Sequence, residues 1–116
     1  MDYDIFKRQL KKAYSQSCCS FTINECWDIL VYYFLCYEEY TKHSHPPIKT
    51  ELLTDILDKM GGNDDIEFDA ECYRDMIILY FTTPFKNCDR NICHFFSGKI
   101  RELRYYELEK EGAINL

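Results

Sequence analysis

The chain has 116 residues, 47% of them hydrophobic and 16% aromatic, which supplies enough apolar side chain for a packed core and excludes an intrinsically disordered chain. One domain over residues 1–116 is expected, burying roughly two-thirds of the surface that the extended chain exposes. The net charge of −6 is uneven, with −9 in residues 25–75 between weakly basic ends of +2 and +1, and this overall acidity disfavours indiscriminate binding to nucleic acid or anionic membrane.

From the N-terminus, Phe6, Leu10, Ala13 and Tyr14 share one side of a predicted helix over residues 4–14, with Lys7, Arg8, Lys11 and Lys12 elsewhere on it. Residues 15–21 read as a joint. Thr22 and Glu25 have capping-box spacing, opening a central helix whose apolar stripe runs through Ile23, Cys26, Trp27, Leu30, Phe34 and Tyr37. Val31, Tyr32, Tyr33 and Leu35 widen that stripe almost all round, which predicts burial on several sides or a partner contact.

Pro46 and Pro47 stiffen the next loop, and Thr50 is expected to cap a third helix carrying Leu52, Leu53, Ile56, Leu57 and Met60. Gly61 and Gly62 stop it. Asp69 is placed to cap a fourth helix with Cys72, Tyr73, Met76, Ile77 and Tyr80, ended by Thr82, Thr83 and Pro84. A fifth is expected from about Asp89 to Lys110, released by Gly112. The pattern predicts an all-α, compact helical bundle of about five helices.

Seven cysteines are many for this length, but their number is odd, no CxxC pair occurs, and the adjacent Cys18 and Cys19 suit no ordinary bridge. Reduced thiols are the expectation. The start of the chain lacks a signal-peptide pattern, and the richest apolar run, residues 29–36, is far short of the about 20 residues that cross a bilayer. A cytoplasmic protein with no membrane contact is therefore expected, and the cysteine- and tyrosine-rich composition suggests a virus or mobile element.

The leading functional candidates are Arg90, His94, Ser97, Arg101 and Arg104, whose spacings of four, three, four and three would form one polar stripe on the last helix, opposite Ile92, Phe95, Phe96, Leu103 and Tyr106. Arginines on such a ridge would hold phosphate oxygens or the acids of a protein partner. A second candidate face is acidic: Glu38, Glu39, Glu51, Asp55 and Asp58, suited to a basic partner.

Cys88, Cys93 and His94, with Cys72, His43 or His45, are the nearest approach to a zinc set, yet they lack paired chelating arms, and no metal or other cofactor is expected. The oxygen-rich run Asn63, Asp64, Asp65, Glu67 and Asp69 lacks the glycine and terminal glutamate of a calcium loop. His94 is a base for Cys88 or Cys93, but no carboxylate or oxyanion donor accompanies it, so no catalytic residue is assigned. The sequence thus points to a non-enzymatic regulatory or adaptor protein acting through protein–protein contacts. Nucleic-acid binding by the C-terminal basic face is the alternative, and a homodimer is an expected assembly.

Overall fold

The computed structural model describes residues 1–62 and 66–112. Among these residues the chain forms six helices and no strand: α1 (Tyr3–Gln16), α2 (Ile23–Thr41), α3 (Thr50–Lys59), α4 (Cys72–Thr82), α5 (Ile92–Phe95) and α6 (Ile100–Lys110). The all-α bundle agrees with the expectation from the sequence, except that the single C-terminal helix is two. Gly98, at φ +50°, and the turn around Ser97 separate a short α5 from α6, so the direction of one helix does not carry over to the other.

Local chemistry explains the helix starts. Asp2 accepts hydrogen bonds from the amides of Asp4 and Ile5 at 3.1 and 3.2 Å, and Thr22 with Glu25 completes the expected capping box of α2. Asp69 accepts from the Cys72 amide at 2.9 Å and so serves the start of α4. Thr50 does not cap α3: it is the first helical residue, and its hydroxyl lies 3.5 Å from Gln9 Nε2 of α1. The same Gln9 amide donates to the Ile48 carbonyl, fastening the proline loop to α1.

Helix α1 packs on α3 and α2, α2 on α4, α4 on α6, and α5 on α6. Phe6 of α1 meets Phe34 of α2 edge-on at 5.0 Å. Deeper in, Tyr33, Tyr80, Phe81 and Phe95 bring α2, α4 and α5 together, with Tyr33 5.0 Å from Phe81 and 5.3 Å from Phe95, and Tyr80 5.1 Å from Phe95. Such tilted and edge-on pairs add to the apolar burial, each on the order of 1 kcal/mol. The radius of gyration of 13.7 Å is near the roughly 13 Å of a compact chain of this length.

The Gly61–Gly62 stop has a steric basis. Gly62 has φ +103° and pairs with Glu67 in an isolated antiparallel bridge, and a side chain there would run into the Ile66 carbonyl. Gly98 also has positive φ, but a β-carbon would meet no atom within 4 Å. Gly62→Ala is therefore expected to lower unfolding stability by about 2–4 kcal/mol and Gly98→Ala by only about 1 kcal/mol, as read from urea denaturation.

Candidate functional site

The proposed polar stripe is not a surface ridge. Arg101 and Arg104 are buried, 8% and 6% exposed, while Leu103 and Tyr106 of the supposed apolar face are 48% and 46% exposed. The turn at Ser97 and Gly98 sets α6 with its arginines inward. Arg101 Nη1 donates to the Lys59 carbonyl at the end of α3 at 2.6 Å and to the Tyr73 hydroxyl at 3.1 Å, and its guanidinium lies over the rings of Phe96 and Phe68. Arg104 Nη2 donates to the Thr83 carbonyl at the end of α4 at 2.7 Å, its Nη1 pairs with Glu107 at 2.6 Å, and its guanidinium is 4.0 Å from the Phe85 ring centre.

Both arginines thus serve as C-terminal caps for other helices. A cation there meets carbonyl groups with no partner in their own helix and the negative end of the helix dipole. The aromatic faces add cation–π attraction, which strengthens where water is excluded. The other stripe members are dispersed. Arg90 sits in the α4–α5 turn, His94 faces Tyr80 and Cys88, and the Ser97 hydroxyl donates to the His94 carbonyl at 2.7 Å.

The acidic candidates fall on two helices, with α1 packed against both. Glu51 and Asp55 are exposed on α3, with Asp55 pairing to Lys59 at 2.9 Å, and Asp58 accepts the Cys18 amide at 2.7 Å. Glu38 and Glu39 lie near the end of α2, where they line a shallow recess with Leu35 and Lys42. Leu35 is 52% exposed and Tyr40 43%.

Of the zinc candidates Cys88 and His94 are in contact, and a pair is not a metal site. Among the described residues no group of three His, Cys, Asp or Glu side chains is arranged to hold an ion. Asn63, Asp64 and Asp65 of the calcium-like run lie outside those residues. His45 is instead a core residue: Nδ1 donates to the Pro46 carbonyl at 2.7 Å, Nε2 accepts the Ile92 amide at 3.0 Å, and the rings of Tyr37 and Phe34 lie 4.7 and 4.9 Å away. Both nitrogens are used by the neutral ring.

All seven cysteines are free thiols. Cys19 and Cys26 have their sulfurs 3.5 Å apart, and burial pushes the Cys26 thiol up. Burial likewise pushes Cys72 up to about 12, and its thiol donates to the Asp69 carbonyl at 3.1 Å. Cys88 and His94 do meet directly, with Sγ 3.2 Å from Nδ1, and are joined by a tertiary partner that the sequence did not indicate, Tyr80. Tyr80 lies 14 residues before His94 with no motif linking them; only the packing of α4 against α5 brings them together.

No known protein family, curated protein or solved structure matches the chain.

Removing either buried arginine opens a cavity and takes a donor from a helix-end carbonyl, that of Thr83 for Arg104 and that of Lys59, which keeps the Gly62 amide at 3.1 Å, for Arg101, so Arg101→Ala and Arg104→Ala are each expected to cost about 2–4 kcal/mol of unfolding free energy. A solvated binding arginine would change it by no more than about 0.5 kcal/mol, and urea titrations separate the two. Burial, the largest influence, also lowers the His45 pKa below its ordinary value, outweighing the hydrogen bond to the Pro46 carbonyl and the attraction of Asp89. Below about pH 6.5 the unfolded chain takes up a proton that the folded ring resists, so stability falls as pH drops, by at most about 1.4 kcal/mol per pH unit. His45→Gln should flatten that part of the stability profile between pH 7.5 and 5.

Proposed function

We propose that this chain is a non-enzymatic regulatory or adaptor protein that works through protein–protein contacts, and that its contact face is the acidic end of α2. The observation that carries this reading is Leu35, a large apolar side chain half exposed in a recess edged by Glu38 and Glu39. An apolar centre with a charged rim is the arrangement of a protein contact. The charges select a partner with a basic segment bearing an apolar side chain. Lys42 offsets the recess only weakly, 4.0 Å from Glu39 with both side chains mostly in solvent.

A symmetric homodimer through this face would set Glu38 and Glu39 of one copy near those of the other, so charge favours a different, basic chain over the homodimer expected from composition. The alternative of nucleic-acid binding through Arg101 and Arg104 lacks exposed guanidinium groups at those positions. The test is a photocrosslinking amino acid at Leu35, with one at Arg8 as control, followed by binding of the purified captured partner. A basic partner bound at least ten-fold more weakly by a Glu38→Lys and Glu39→Lys variant, and more weakly as salt rises, is expected. Equal capture from both positions, or unchanged binding by the charge-reversed protein, would overturn the assignment.

A further inference from the structure

Cys88 lies in the turn between α4 and α5, half-buried, with three polar groups around its sulfur. The Tyr80 hydroxyl of α4 is 3.0 Å away, His94 Nδ1 of α5 3.2 Å and the Arg90 amide nitrogen 3.2 Å. Tyr80 Oη is also 2.6 Å from His94 Nδ1, which closes a triangle of side chains. We infer that Cys88 is a nucleophilic thiolate site, formed by proton transfer to His94, and that its reactant is a small hydroperoxide.

The arrangement provides for each charge. When the Cys88 proton passes to His94 Nδ1, the sulfur anion faces three donors: the imidazolium N–H, the Tyr80 O–H and the Arg90 amide N–H. Tyr80 bridges the pair, accepting from the imidazolium and donating to sulfur. Burial, then the contact with Cys88, raises the Tyr80 pKa, so its hydroxyl remains protonated and available as a donor at neutral pH.

The backbone around the sulfur is shaped for this contact. Asn87 and Arg90 have φ of +59° and +60°, a left-handed conformation that asparagine adopts readily but that costs a residue such as arginine about 1–2 kcal/mol. The cost at Arg90 is met by tertiary contacts: the buried Tyr33 hydroxyl donates to the Arg90 carbonyl at 2.6 Å. That same peptide turn directs the Arg90 amide at Cys88 Sγ. Strain held at Arg90, whose amide the turn delivers to the sulfur, is of the kind that persists where the surrounding contacts over-determine it.

The chemistry balances within the site. The thiolate attacks one oxygen of hydrogen peroxide, the S–O bond forms as the O–O bond breaks, and the departing hydroxide takes the proton held by His94 and leaves as water. Cysteine is oxidised to sulfenic acid and the peroxide is reduced. The ring of Phe85 packs on the two partners of the sulfur, 6.1 Å from the Tyr80 ring and 5.8 Å from that of His94, and so helps to hold both in place.

The test treats the full-length reduced protein with limiting hydrogen peroxide, traps sulfenic acid with dimedone, and measures labelling of each cysteine by peptide mass spectrometry. Cys88 is expected to label at least ten-fold faster than the exposed Cys18, and the difference should disappear in urea. His94→Gln and Tyr80→Phe, with folding checked by circular dichroism, should each slow Cys88 at least five-fold. Labelling of Cys88 no faster than Cys18 in the folded wild-type protein would overturn the inference, as would persistence of the preference in urea or full reactivity in both folded variants.

Discussion

Helix ends inside a small bundle leave carbonyl groups without partners in their own helix, and this structure depends on the side chains that meet those at the C-termini of α3 and α4. Arg101 reaches the Lys59 carbonyl and Arg104 the Thr83 carbonyl, so one short helix fastens the ends of two others. Tyr73 assists from α4 by donating to the carbonyl of Met60, beside the Lys59 group that Arg101 holds. Each arginine leaves its buried Nε without a hydrogen bond among the described residues, yet the cations sit against Phe68, Phe96 and Phe85. Aromatic faces and carbonyl dipoles together offset part of the cost of taking a guanidinium out of water.

This fastening determines the outer surface as well. With the arginines inward, Leu103 and Tyr106 face outward, and α1 carries a cluster of cations in solvent, where Lys7, Arg8, Lys11 and Lys12 are all exposed. The acidic α2 end with Leu35 lies on a different helix, so the proposed protein contact is separate from the internal arginine caps. No helix among the described residues is long and apolar enough to cross a membrane.

The aromatic core links the scaffold to the Cys88 site. Tyr33 places its ring between Phe81 and Phe95 and its hydroxyl on the Arg90 carbonyl, while Tyr80 packs its ring on Phe95 and turns its hydroxyl to Cys88 and His94. Each tyrosine therefore buries a large apolar body and uses its polar tip to fix the α4–α5 turn. A phenylalanine would fill the same volume but leave the turn without that donor.

The sequence by itself determined most of the helices, because their signals are local: the Thr22–Glu25 box, the apolar spacing of Phe6, Leu10 and Ala13, and the Gly61–Gly62 stop all act within a few residues. It also offered His94 as a base for Cys88 or Cys93, but without a third partner it assigned them no catalytic role. Periodicity failed at the C-terminal stripe because its spacing presumes one uninterrupted helix, and a Gly98 turn redirects everything after it. Spacing gives the relative angle of side chains on a helix; which angle faces the core is set by the elements it packs against. Only the tertiary structure could show that the ends of α3 and α4 require the donors of Arg101 and Arg104, or that Tyr80 and the Arg90 amide meet at Cys88, since those partners are remote or held by a strained turn.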